Sequence, residues 1–275
     1  MTATRFAPSP TGPLHLGHAW AALVAADHGA MRLRIEDIDR ARSRPEWERA
    51  IVDDLGWLGI GWAPPVLRQS ERAAAYGAAL DRLWAAGVLY PCACSRRDVL
   101  AAAAAPQEGA PLLGPDGVVY PGTCRGASRA GPRPAGAALR LDAAAVEGDL
   151  AWEDAALGPG RMDGAAFRAA VGDVVVARRG WGTSYHLAVV VDDAHQGIDL
   201  VTRGADLAEA TPIHVALQRL LGLPRPRYLH HDLVRDGAGR RLAKRDDARS
   251  LASYRAAGWT AAALVARLRE SRVAP

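Results

Sequence analysis

PTGPLHLGHAW, residues 10 to 20, ends a loop with prolines at 8, 10 and 13 and places His15 and His18 three residues apart around Gly17. Arg5 to Ala7 read as the end of a strand. Leu14 to Ala26 read as a helix, with Leu16, Leu23 and neighbouring alanines on one face. A metal pair on a helix sits four residues apart and needs further ligands, and none lies nearby in the sequence. Two readings of the histidines remain. They are helix-start imidazoles satisfied by local hydrogen bonds, or they are phosphate ligands. A strand, a Pro/Gly loop and a helix N-terminus make an anion site, because backbone N–H groups and the helix dipole point outward there. Gly17 would let a nucleotide ring approach the backbone closely.

Working outward, MRLRIEDID (31–39) alternates apolar and polar residues as a half-buried strand does. That alternation would turn Asp37 and Asp39 to one side and Glu36 to the other. Pro45 suits the first turn of the next helix, where its missing N–H costs nothing, and Ile51, Leu55 and Leu58 follow at helical spacing. Ser70 suits the N-cap of a helix over 71–86. From Val88 to Gly180 the character changes, with all three cysteines, a run of five alanines and Gly/Pro-rich segments such as CRGASRAGPRPAG. This stretch reads as a loop-rich insertion with its own small sheet, from ALRLD and DVVVARR. Beyond it the reading is a strand YHLAVVVDD, a strand IDLVTRG, a helix DLAEATPIHVALQRLLG and a strand RYLHHDLV. Strands alternating with helices on both sides of an insertion predict an α/β fold: a Rossmann-type, mostly parallel sheet, split by the insertion and followed by a short helical C-terminus. The expected limits are 1–87 and 181–240 for the two halves of the Rossmann domain, 88–180 for the insertion, and 241–275 for a loop and the last helices.

The 275 residues, 49% apolar and 23% charged, are enough for a sizeable core. No apolar run is long enough to span a bilayer, and the N-terminus has no apolar signal-peptide core. A soluble cytoplasmic protein with no membrane partner is expected. A net charge of +4 and a pI of about 9.2 permit a nucleotide or RNA partner without demanding one. Lys244 is the single lysine among 34 basic side chains. Three cysteines, Cys92, Cys94 and Cys124, are an odd count that argues against a disulfide framework. They are either buried thiols or thiolate ligands of a structural zinc. No histidine between residues 29 and 185 offers a fourth ligand.

RFAPSPTGPLHLGHA, RIEDIDRARS, VVVDD, VTRGADL and RRLAKRD occur in the order and approximate spacing of the glutamyl-tRNA synthetase catalytic core. From Arg5 to Asp246 the chain thus resembles that class I aminoacyl-tRNA synthetase family, and most of all a truncated paralogue that keeps only the catalytic half. The family's lysine-x-serine-lysine loop reads Arg241-Leu242-Ala243-Lys244 here, and the segment between HLGH and RIED is shorter than the family's. The resemblance implies an ATP-dependent ligase that uses Mg2+ with ATP. It gives His15, Gly17, His18 and Lys244 to ATP, with His15, His18 and Lys244 acting in catalysis. It gives Arg5, Ala7, Ser9, Glu36, Tyr185 and Arg203 to glutamate, Glu36 on the α-amino group and Arg203 with Tyr185 on the side-chain carboxylate. An arginine's planar fork suits a carboxylate. Asp192 and Asp193 are expected behind these, at the end of the VVVDD strand. The resemblance also supplies Tyr120 as fourth zinc ligand beside Cys92, Cys94 and Cys124.

With 31 residues after Lys244 (275 − 244), the resemblance implies a monomer that lacks an anticodon-reading domain. Its partner would be the queuosine-containing anticodon stem-loop of tRNA(Asp). Arg125, Arg129, Arg133 and Arg140 would either meet RNA phosphates or form a solvated basic face. Two other functions stay open: a short glutamyl-tRNA synthetase charging a tRNA 3′ end, and a non-catalytic zinc-stapled RNA-binding module.

Overall fold

The computed structural model describes residues 1–103, 112–236 and 249–271. Three parallel strands, β1 (Ala3–Phe6), β2 (Ala30–Ile35) and β3 (Ala63–Arg68), lie in that order. They are connected by α1 (Leu16–His28) and α2 (Pro45–Trp57). Pro45 occupies the first turn of α2, and Ile51, Leu55 and Leu58 are buried. After α3 (Ala73–Ala85) the chain enters an antiparallel sheet. Its middle strand β7 (Ala138–Leu141) lies between β4 (Leu89–Cys92) and β10 (Val175–Ala177). Around this sheet are α4 (Arg96–Ala103), a hairpin of β5 (Leu113–Gly114) and β6 (Gly117–Val118), a hairpin of β8 (Asp149–Trp152) and β9 (Gly160–Asp163), and α5 (Gly164–Ala170).

The second parallel pair follows α6 (Tyr185–His195): β11 (Leu200–Gly204), α7 (Thr211–Leu220) and β12 (Arg227–His231). Its register sets Arg203 beside His230. The two parallel groups meet at β1 and β11, where the Asp199 N–H donates to Ala3 O (3.0 Å) and the Ala3 N–H donates to the Asp199 carboxylate (2.8 Å). The α/β reading with a parallel sheet therefore holds. Two helices end the described chain, α8 (Leu251–Ala256) and α9 (Ala261–Ser271). They share an apolar core with α1, β2 and α2 through Leu251 and Leu264. A second core runs from α3 through the insertion to α7, with Leu80, Leu139, Phe167, Leu187 and Ile213. Among the described residues, no helix is long and apolar enough to cross a membrane.

Three local expectations are corrected. YHLAVVVDD is helix α6, not a strand. Ser184 caps it by accepting the Leu187 N–H, and the helix buries residues around most of its circumference. A short, wholly buried apolar run shows neither period, so pattern alone does not tell strand from helix. Ser70 is not a helix N-cap. It sits in a 3-10 turn (Gln69–Glu71), and α3 starts after Arg72 without a side-chain cap. The strand β2 stops at Ile35, so Glu36, Asp37 and Asp39 do not alternate across it. Glu36 instead donates its N–H to Pro8 O (3.0 Å), and Asp37 accepts from the Ser70 N–H (2.8 Å).

Candidate active site

His15 is the N-cap of α1. Its Nδ1 accepts the Gly17 N–H at 3.1 Å, and Nδ1 of His18 accepts the His15 N–H at 3.2 Å. The rings lie 3.9 Å apart. These local bonds engage only one ring nitrogen of each histidine. Because both Nδ1 atoms accept, the ring proton of each imidazole sits on Nε2, and each can donate from that edge. A Cβ on residue 17 would come within 2.9 Å of His15 Cε1. Any larger residue there would therefore push the His15 ring aside, a reason for glycine that the sequence alone did not suggest. The described chain resumes beside this pair, with Ser250 bridged to His15 and the Leu251 N–H donating to Leu14 O (2.9 Å). Lys244, Arg241 and Ala243 lie outside the described residues.

His18 opens onto a cavity of about 580 Å³ that Arg5, Ala7, Ser9, Glu36, Tyr185 and Arg203 also line. Arg5 comes from β1, and its Nη1 donates to Thr202 O on β11 at 2.6 Å. Behind it, Asp193 on α6 takes two cations, Arg34 Nη1 at 2.7 Å and Arg5 Nε at 3.4 Å. Arg34 has no solvent exposure and also reaches Glu36 at 3.4 Å. Burial works against the Arg34 charge, yet Asp193 and Glu36 hold its pKa above the ordinary value. Burial pushes the Glu36 carboxyl up, opposed by Arg34 and Arg5. Asp192 accepts from Tyr76 Oη at 2.7 Å and from Gln69 at 3.0 Å, so it ties α6 to α3. Thus both aspartates stand behind the cavity as expected, but on a helix.

Arg203, from β11, is held on three sides. Its Nε donates to His230 Nε2 (2.9 Å), Nη1 to His214 Nδ1 (2.8 Å) and Nη2 to Thr211 Oγ1 (2.8 Å). His230 in turn bonds Asp154 through Nδ1. None of His186, His214, His230, Asp154 or Arg34 was singled out from the sequence. The one available signal was the presence of polar residues inside segments that read as apolar core.

The three cysteine sulfurs lie within 4.8 Å of one another. The Tyr120 hydroxyl reaches into the group, 3.2 Å from Cys94 Sγ and 3.5 Å from Cys92 Sγ, and accepts the Cys124 N–H at 2.9 Å. That hydroxyl and a backbone N–H bring the Cys124 thiol down to about 7. Arg140 stacks on the Tyr120 ring with Cζ 3.7 Å from its centroid. The other nearby arginines pair internally as well: Arg125 with Asp173 (2.8 Å), Arg129 with Asp142 (2.5 Å), and Arg133 with Asp81 (2.7 Å). These pairs lie at the surface, with the Arg125 side chain about half exposed.

The sequence matches the model of "tRNA synthetases class I (E and Q), catalytic domain" over residues 1–274. The chain belongs to this family. It is a ligase-type, aminoacyl-tRNA synthetase-like enzyme. Among curated relatives it is similar to the glutamyl-Q tRNA(Asp) synthetase of Rhodobacter capsulatus, 60% identical over 93% of this chain and 95% of that one. It is 44% identical to the Geobacter sulfurreducens protein of the same name, over 91% of this chain and 78% of that one. A solved glutamate tRNA ligase from Elizabethkingia meningosepticum, in complex with its amino acid, aligns with a TM-score of 0.70 and 25% identity. The match covers 90% of this chain and 52% of that one. The synthetase domain described here therefore spans about half the length of that ligase.

Proposed function

We propose that this enzyme activates glutamate as glutamyl-adenylate and passes it to the queuosine base in the anticodon of tRNA(Asp). The observation that carries the amino-acid assignment is the cavity itself. It holds an arginine fixed by three internal acceptors, with Glu36 set against two cations. Arg203, with Tyr185, would take the side-chain carboxylate of glutamate in its planar fork. Glu36 would take the α-ammonium, and Arg5, Ala7 and Ser9 would line the rest of the amino acid. The acceptor assignment is supported by the Rhodobacter capsulatus relative that carries that name, matched over 95% of its length.

In the first step a glutamate α-carboxylate oxygen attacks the α-phosphorus of ATP, and the bond to pyrophosphate breaks. In the second, a hydroxyl of the queuosine ring attacks the glutamyl carbonyl and AMP leaves. His15 and His18, donating from Nε2 beside Gly17, would stabilise charge on the phosphates, which Mg2+ accompanies. Lys244 would join them. ATP–pyrophosphate exchange tests the activation step. Exchange should require glutamate and proceed without tRNA; no exchange with glutamate under any condition would overturn the reading.

The cysteine cluster fits zinc. With sulfurs about 2.3 Å from a tetrahedral metal, neighbouring donors stand about 3.5–3.8 Å apart. Here Cys94 and Cys124 sulfurs are 3.5 Å apart, with Tyr120 Oη at 3.2 to 3.5 Å from Cys94 and Cys92. Bound zinc would staple β4 to the loop before β7. Purified protein should carry about one zinc per chain by elemental analysis, and Cys92→Ser should lose it. Metal-free protein with an unaltered fold would return these side chains to the core. Tyr120→Phe isolates the oxygen ligand.

A further inference from the structure

We propose that His214 and His230 are positioning residues for Arg203: two neutral imidazoles of opposite tautomer that fix the plane in which it meets glutamate. The proposal rests on the reading of Arg203 as the side-chain carboxylate ligand. Arginine only donates, so the ring nitrogen facing each N–H must be unprotonated. For His230 that atom is Nε2, which leaves its proton on Nδ1, toward the Asp154 carboxylate. For His214 it is Nδ1, which leaves the proton on Nε2 for Nδ1 of His186 at 3.1 Å. His186 then presents its own Nε2–H to Asp116, 3.5 Å away in the hairpin turn between β5 and β6. From Asp154 to Asp116 every proton of the chain is assigned.

The surroundings keep both rings uncharged. His214 on α7 faces Arg203 from β11, His186 and Tyr185 from α6, Arg5 from β1 and His230 from β12. Burial first, then the Arg203 charge, sets its pKa well below the ordinary value. His230 faces Arg203, Thr211, Asp154 and, along its own strand, Tyr228 and His231. Burial lowers its pKa and the Asp154 hydrogen bond opposes that. Protonating either ring would remove an acceptor and set a second cation against Arg203. Since both values lie below the usual 6.5, the cradle is complete at neutral pH and is lost only in acid.

The position of the accepting nitrogen dictates the test. Asparagine places an oxygen near where Nδ1 stands, and glutamine near Nε2. In glutamate-dependent exchange, His214→Leu and His230→Leu should raise the KM for glutamate about tenfold or more, as expected when a buried donor loses its acceptor. The KM for ATP and kcat should stay within about twofold. His214→Asn and His230→Gln should restore most of the loss, and the unaltered enzyme's KM for glutamate should be flat from pH 6.5 to 8. On the unaltered protein, long-range proton–nitrogen NMR at pH 7 should show Nε2–H for His214 and Nδ1–H for His230, which keeps the test open should a leucine variant not fold. Equal tautomers, a charged ring, or leucine variants with unchanged KM would each overturn the proposal. Arg203→Lys separates the two levels. A raised glutamate KM there, with silent histidine variants, sinks the cradle alone; an unchanged KM there sinks the glutamate pocket and the cradle with it.

Discussion

Asp193→Ala is expected to lower stability by roughly 3–5 kcal/mol, as when one member of a buried ion pair is removed and its partner stays buried and charged. Asp193 is the carboxylate that Arg34 and Arg5 share, and Arg34 has no exposure through which water might replace it. Replacing both partners would do less harm. Arg34→Met combined with Asp193→Leu removes both charges and should recover part of the loss, although Arg5 then loses its ion-pair partner. Urea denaturation of the two variants reads the difference directly. A single-variant loss under about 1 kcal/mol would mean that the pair does not hold α6 against β2.

Lys244→Ala should slow adenylate formation about a hundredfold or more, the usual cost of removing one group that stabilises transition-state charge. The KM for glutamate should change far less, because the proposed amino-acid contacts all precede residue 204. The altered loop, with Arg241 and Ala243 where the family has lysine and serine, keeps a cation at 241 and a single lysine, Lys244. Single-turnover exchange measures the step; near-normal rates would place the phosphate charge elsewhere.

What could be read from the sequence was what local chemistry determines. The start of α1 is set by His15 and His18 within four residues, and α2 by Pro45, so both were readable. So was the parallel character of the sheet, from elements alternating on either side of an insertion. Helix α6 was not, because burial around most of its circumference erases the period that separates helix from strand. Arg34 reads as the polar face of a strand, yet it is buried because a carboxylate 159 residues away neutralises it. The cradle of Arg203 was equally hidden. His214 comes from the helix after β11 and His230 from the register of β11 with β12, and neither has a local pattern. The cysteine spacing suggested a cluster, and the fold brings its three sulfurs together with Tyr120. The acidic partners of the arginines around it, Asp173 for Arg125 and Asp81 for Arg133, are distant in the chain and could not be paired with them from the sequence.

The acceptor is the point on which the account stands. The enzyme is incubated with ATP, labelled glutamate and either queuosine-containing or queuosine-free tRNA(Asp), and the product is cut by nuclease in mild acid that spares an ester. Label should appear only with the modified tRNA, on the anticodon fragment. Label on the 3′-terminal adenosine of tRNA(Glu), with none on the anticodon of tRNA(Asp), would contradict it.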